Sequence, residues 1–498
     1  MKKITTPTDN SAAVSGQASG KASGSGAADP GQASGKGGGL DISVRSFITA
    51  IAVIFALMIL SYVLTFLIPA GEYARTVNEA GQTVIDTEAG FSYTEGGLPF
   101  WKWLLSPFLV LGAPGSGTLI AVIIFLLVIG GAFNGLDKSG IMNYMLARIS
   151  HRFGASRYRL MTVVILFFMA LGALVGSFEE VVPLVPIVTS LAVGLGWDVL
   201  TGMAMSLLAV GCGFASGVMN PFTVGVAQSL AGLPMFSGIW LRLLSFALIF
   251  PMLLFFVRRH AKKVEKPLSE TRAAEAFTPS RQMDRALTAF GAILGAGIVF
   301  ILCSTFIPAL QDYTMIAVAV MFLAAGIAAP LIAGMRGKSL ASSFGSGVVS
   351  ILPAVLMILM ASSIRFTLEQ AKILDTILHG AVGIAGSLPG WTVILFIYLI
   401  VLVMNFFIGS GSAKAFMLMP LIIPLAQVFG ISPQLCIVAF AFGDGFSNVF
   451  YPTNAALLIS LGLADLSYPK WAAWSARFQL ANLLLTSAIL LFGLAVGY

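Results

Sequence analysis

Between Asn405 and Gly462 the chain is apolar enough to cross a bilayer, yet two runs of Gly, Ser, Asn and Pro break it and it carries Lys414 and Asp444. The first break lies in NFFIGSGSAKAF (Asn405–Phe416), followed by MPLIIP (Met419–Pro424). The second lies in FGDGFSNVFYPTNA (Phe442–Ala455). Lipid offers an open backbone no hydrogen-bond partner, so a helix is interrupted at membrane depth only where protein or a polar cavity surrounds it. Close helix–helix packing would account for the glycines. It would not account for the two charges, each costing about 2.5–3.5 kcal/mol at the centre of a span unless paired or watered. Paired interruptions of this kind mark a substrate site between discontinuous helices.

The rest of the chain obeys the same constraint. Of 498 residues, 58% are hydrophobic and only 10% charged, with mean hydropathy +0.94. That excludes a soluble domain and predicts an all-α polytopic protein of the lipid bilayer. The net charge of +7 sits in loops and the N-terminal tail, a cytoplasmic-side bias with no support for nucleic-acid binding. Cys212, Cys303 and Cys436 stand singly in apolar runs and read as small core hydrophobes. His151, His260 and His379 lie outside the strongest apolar runs, which argues against an intramembrane histidine relay. No Walker loop, metal-spaced cluster or nucleophile elbow is present, so neither an enzyme nor a resident cofactor is expected.

Residues 1–39 are low-complexity Gly, Ser and Ala with scattered Lys, and 1–44 is expected to be a disordered cytoplasmic tail. The first span is Phe47–Pro69, its start held inside by Arg45 and the basic tail. The polar, mostly acidic loop Ala70–Pro107 should be external and contains PFWKW (Pro99–Trp103), an interfacial aromatic belt. A span near Gly117–Gly135 and an amphipathic segment, 140–153, follow. The apolar stretch Leu160–Leu200 is interrupted by GSFEE (Gly176–Glu180), Pro183 and Pro186, and reads as a re-entrant hairpin of two half-helices. A span at 199–233 is broken by GFASGVMNP (Gly213–Pro221). The next, Gly238–Val257, leads into a cytoplasmic linker, 258–285. In 286–498 spans are expected near 286–307, 314–334 and 344–364. A mixed segment, Arg365–Gly380, precedes a second hairpin at 389–428 with GSGSAK (Gly409–Lys414) at its break. A span broken at GDGFSNVFYPTN (Gly443–Asn454) and a final one near Ala473–Val496 complete the chain, placing the C-terminus outside.

The halves 45–257 and 286–498 superpose by position. Pro186 and Pro420, like Gly196 and Gly430, are 234 residues apart; Pro221 and Pro452 are 231 apart; Gly232 and Gly462 are 230 apart. Helix breakers recurring at a near-constant offset argue for an internal repeat. Arg152, Arg157 and Arg159 put the first hairpin's mouth inside, and the three spans after the linker put the second's outside. The repeats are therefore read as inverted, with about nine spans and two opposed hairpins.

Four segments carry a resemblance: GGAFNGLDKSG (Gly130–Gly140), GFASGVMNPFTVGVAQSLAGLP (Gly213–Pro234), SGSAKAFMLMPLIIPLA (Ser410–Ala426) and FGDGFSNVFYPTNAALL (Phe442–Leu457). They resemble the YfcC-type branch of the C4-dicarboxylate anaerobic carrier family, within the ion transporter superfamily, over roughly residues 45–498. The resemblance implies scaffold and transport domains, hairpins at the site, an elevator motion in the inner membrane, and homodimers through the scaffold. It also implies a dicarboxylate or basic amino acid cargo, and an uncharged polar residue where this chain has Lys414.

Broken-helix ends offer free N–H groups to anions and free carbonyls to cations. The candidate ring is Gly176, Ser177, Glu179 and Glu180 from the first hairpin and Ser216, Asn220 and Thr223 from the first broken span. The second half adds Ser410, Ser412 and Lys414, with Asp444, Ser447, Asn448, Thr453 and Asn454. Each hydroxyl or amide could equally cap a helix at a break. The expected function is a secondary active transporter of a small organic anion, coupled to Na⁺, H⁺ or exchange. A basic amino acid antiporter is the second reading and a channel the third. Glu180 and Lys414, also 234 residues apart, are expected to neutralise each other between the hairpin tips.

Overall fold

In a computed structural model the described residues are 44–498 apart from 78–82, 87–88, 115, 154–155, 177, 235, 268–277, 305–306, 308–312 and 386–387. The expected tail 1–43, the middle of the linker and Ser177 lie outside the described residues.

The first half runs α1 (Val44–Leu67), α2 (Gly117–Lys138), α3 (Ile141–Phe153) and α4 (Arg157–Leu174). A 3₁₀ segment, Glu179–Leu184, leads into α5 (Val185–Gly194). Pro183 cannot donate a backbone hydrogen bond, which disfavours a regular α-helix there. Then come α6 (Val199–Ser216), α7 (Val226–Leu230) and α8 (Ile239–Val264). The second half runs α9 (Arg281–Ser304), α10 (Thr314–Ile332), α11 (Gly337–Gln370) and α12 (Leu374–Ala385). It continues through α13 (Gly390–Phe407), α14 (Gly411–Val428), α15 (Pro433–Asn448), α16 (Ala455–Leu463) and α17 (Tyr468–Ala495).

Among the described residues nine helices are long and apolar enough to cross a membrane. The number matches the expected spans, but the membership does not, because three of the nine, α4, α13 and α14, fall in the stretches expected to form hairpins. Each of these has 18 residues and is about 27 Å long. They are not the half-helices expected from the sequence; only α5, at 10 residues, is short.

The all-α expectation also needs correction. β1 (Gly71–Tyr73) pairs antiparallel with β4 (Phe91–Tyr93), and β2 (Arg75–Val77) with β3 (Thr83–Ile85). Arg75 reaches both carboxylate oxygens of Asp375 on α12, at 3.1 and 2.9 Å, and Tyr73 N donates to the same side chain at 3.0 Å. Phe91 stacks on His379 with ring centroids 4.2 Å apart. The acidic loop thus contributes a small ribbon pinned to α12. Cys212 and Cys436 are buried as expected, whereas Cys303 is exposed on α9.

Two groups of helices organise the packing. In one, α2 and α11 pack together and against α10 and α1, with α9 on α10. In the other, the broken helices α6 and α15 pack on each other, α4 lies on α6 and α13 on α15. Missing side chains allow the close crossings. A Cβ on Gly213 would lie 1.8 Å from the Met169 carbonyl oxygen, and one on Gly445 2.2 Å from Ala215 Cα. The two halves also contact each other: α7 packs on α14, and Glu179–Leu184 packs on α16. Residues with positive φ punctuate both halves alike: Gly140 and Lys372 (232 apart), Gly196 and Gly430 (234), Gly232 and Asp465 (233). A lysine and an aspartate in this conformation are uncommon, so the backbone geometry is being imposed there rather than merely permitted.

Candidate functional site

α13, α14 and α15 build one closed polar cluster. Lys414 lies one turn into α14 and Asp444 lies on α15. Both are fully buried, and they form an ion pair at 2.5 Å. The third member is Asn405, on the last turn of α13. Its Oδ1 accepts from Lys414 Nζ. Its Nδ2 donates toward Ser447 Oγ (2.6 Å), Asn448 Oδ1 (3.0 Å) and the Asp444 carbonyl (3.2 Å). Asn454 Nδ2 also donates to Asn448 Oδ1, at 3.1 Å. With its amide nitrogen committed to α15, Asn405 must turn its oxygen to the lysine.

Several predicted residues have local duties at the breaks. Ser410 caps α14, accepting from Ala413 N at 3.4 Å, and Asn454 caps α16, accepting from Leu457 N at 3.0 Å. Ser447 Oγ donates to the Gly443 carbonyl, and Ser216 Oγ to that of Cys212, each four residues back. Ser412 is half-buried with its hydroxyl 3.5 Å from that of Ser410. Thr453 is half-buried between α15 and α16.

The first half reaches the cluster through Thr223. A Cβ on Gly411 would fall 2.4 Å from the Thr223 methyl and 2.7 Å from Asp444 Oδ2. Asn220 Oδ1 accepts from Thr223 N at 3.2 Å. Gly176, with φ +75°, lies so close that a Cβ there would be 2.2 Å from Asn220 Oδ1. Glu179 is within Coulombic reach of Asp444. Asp444 Oδ2 and Thr223 Oγ1 are buried with no hydrogen-bond partner among the described residues. The assembly thus leaves one carboxylate oxygen and one hydroxyl oxygen available beside Gly411.

The expected Glu180–Lys414 pair is corrected. Glu180 lines a small cavity with Leu171, Leu184, Leu294, Ile298 and Phe322, which faces it toward α9 and α10. Equal sequence offset makes two residues equivalent, not adjacent. The lysine takes its acceptors from α13 and α15, which pack against α14. Asn405 was missed as a site residue. Its signal was a lone amide ending the apolar run that precedes the break.

On the ribbon side of the same break lies a cavity of about 190 Å³. Its lining includes Arg75, Arg365, Glu369, Ile408, Ala413 and Phe416.

The sequence pattern of the C4-dicarboxylate anaerobic carrier family, DcuC, matches residues 47–495. The chain is 32% identical over 404 residues to an Escherichia coli K12 protein named "Putative basic amino acid antiporter YfcC", covering 77% of this chain and 79% of that one. It is 24% identical over 494 residues to an uncharacterized protein of Haemophilus influenzae, covering 90% and 96%. Among solved structures it is similar to the Alcanivorax borkumensis YdaH transporter, with 18% identity, TM-score 0.42, and 91% and 99% of the two chains covered. It is also similar to Neisseria gonorrhoeae MtrF, from a class of antimetabolite efflux pumps, with 15% identity, TM-score 0.45, and 89% and 94% covered.

Proposed function

This chain belongs to the C4-dicarboxylate anaerobic carrier family, and from that premise we propose that it exchanges small amino-bearing carboxylates, basic amino acids among them, across the inner membrane. The observation that carries this is where the charges go. Lys414, the one cation of the cluster, is engaged by Asp444 and Asn405. A dianion would find that positive charge already neutralised. The oxygen left over belongs to an acid, Asp444 Oδ2, with Glu179 nearby. An ammonium group suits that position, and an N–H of Lys414 not used internally suits a carboxylate. The name of the E. coli relative agrees with this choice.

Alternating access with inverted repeats is supported by the matched positive-φ positions and by the packing of α7 on α14 and of Glu179–Leu184 on α16 across the halves. The helix group α1, α2, α9, α10 and α11 would serve as scaffold and the broken-helix group as the moving part. A dicarboxylate cargo is the second reading, favoured by the Ser410-capped N-terminus of α14 and by the family description.

The test is a thermal-shift screen of the purified protein with arginine, ornithine, a monocarboxylate and C4-dicarboxylates. Stabilisation by arginine or ornithine, lost in Asp444→Asn, is expected. Stabilisation by dicarboxylates alone would overturn the choice of cargo.

A further inference from the structure

We propose that the Lys414 ammonium is a built-in cation, occupying the position a coupling metal ion would otherwise fill, so that exchange proceeds without Na⁺. The inference rests on the carrier function proposed above and adds how the carrier is energised.

Lysine is badly placed here by local rules. It lies one turn past the Ser410 N-cap, near the positive end of the α14 dipole, where a cation is disfavoured. It is also fully buried, and desolvation penalises its charge. Neither its own helix nor water explains a charged group at that position; the facing groups do. The Asp444 carboxylate on α15 faces it through Oδ1, and Asn405 Oδ1 on α13 is turned inward because its amide nitrogen is held by Ser447, Asn448 and the Asp444 carbonyl. Two side-chain oxygens of different helices, one anionic, therefore converge on one point beside a helix break. Hard cations prefer such all-oxygen donor sets.

The equivalent positions in the first half make the contrast. The residues 234 before Asn405 and Lys414 are Leu171 and Glu180, and both line one small cavity whose wall is otherwise hydrophobic. Among the described residues, the oxygen pocket around a lysine is built in the second half, by Asn405 and Asp444 about Lys414. A tethered ammonium holds α13, α14 and α15 together in every state of the cycle. A dissociable ion would instead make their closure depend on its concentration, as ion coupling requires. The lysine thus specifies exchange, with the return step driven by a second substrate molecule.

The experiment uses the full-length protein in Na⁺, K⁺ and choline buffers of equal ionic strength. Unfolding temperature is measured for the wild type, Lys414→Ala and Lys414→Ala/Asp444→Asn, and counterflow in proteoliposomes for the wild type. The wild type is expected to show the same unfolding temperature and the same exchange rate in all three salts. Lys414→Ala should acquire a saturable, Na⁺-specific rise in unfolding temperature, which the double variant lacks. A Na⁺-specific stabilisation or acceleration of the wild type would overturn the proposal, and so would a folded Lys414→Ala with no cation response. If Lys414→Ala does not fold, the wild-type salt comparison still decides. Substrate-induced shifts in the wild type report the cargo separately. Loss of an arginine response would thus refute the cargo, while a Na⁺ response would refute the built-in cation.

Discussion

Breaking the Lys414–Asp444 pair from either side should be costly, and unequally so. Removing one partner of a buried ion pair typically costs about 3–5 kcal/mol, because the survivor keeps its desolvation penalty without its attraction. In Lys414→Met the survivor is Asp444, whose Oδ2 already has no hydrogen-bond partner among the described residues and whose Oδ1 then loses the lysine. That variant belongs at the upper end of the range. In Asp444→Asn the survivor is Lys414, which retains Asn405 Oδ1 and gains a neutral amide in place of the carboxylate. That variant belongs at the lower end. Lys414→Met/Asp444→Asn removes both charges and leaves chiefly the Asn405 oxygen unpaired, a loss of about 1–3 kcal/mol. The double variant should therefore be more stable than Lys414→Met. The assay is reversible unfolding in detergent for all four proteins, closed as a double-mutant cycle. Single variants within about 0.5 kcal/mol of the wild type, or penalties that simply add in the double, would refute a coupled buried pair.

Three further outcomes follow from the same geometry. Gly411→Ala should lose stability and transport, because its Cβ lands 2.4 Å from the Thr223 methyl. Thr223→Ser, which lacks that methyl, should restore part of the loss in unfolding and uptake assays. Asp198 caps α6 beside His260, 3.0 Å away, outside the spans. Burial raises its carboxyl pKa, but hydrogen bonds from His260 and Thr201 more than offset this, and the net shift is downward. A depressed carboxyl adds stability above its unfolded value of about 3.9 that is lost as pH falls through the folded value. Unfolding temperature should fall at that acid limb, and Asp198→Asn should flatten it. Arg75→Ala removes the guanidinium from Asp375, whose side chain is 4% exposed, and unpins the ribbon from α12. Limited proteolysis should then cut within 71–93 faster than in the wild type, with the membrane core intact.

Much of the architecture could be read from hydropathy and helix breakers, since lipid allows few alternatives. The breaks at GSFEE, GSGSAK and the Asn- and Pro-rich runs all became interruptions of helix. The lengths of α4, α13 and α14 could not be read, because a continuous apolar run does not say how deep its turn lies. The ribbon escaped notice because its three-residue strands carry no period long enough to detect. Within the site, Lys414 and Asp444 stood out as charges in apolar runs, but their pairing depends on how α13, α14 and α15 pack. Offset arithmetic pointed to Glu180 instead, because it sees symmetry and not side-chain direction. Asn405 was hidden for a related reason: an amide ending an apolar helix looks like a cap until its neighbours are known.

The most direct test is counterflow in proteoliposomes loaded with unlabelled ornithine, with labelled arginine outside and no Na⁺ on either side. Saturable, transient accumulation of label, abolished in Asp444→Asn, is the predicted result. Exchange confined to dicarboxylates, or ohmic unitary currents in place of counterflow, would contradict an exchanger of amino-bearing carboxylates built around Asp444.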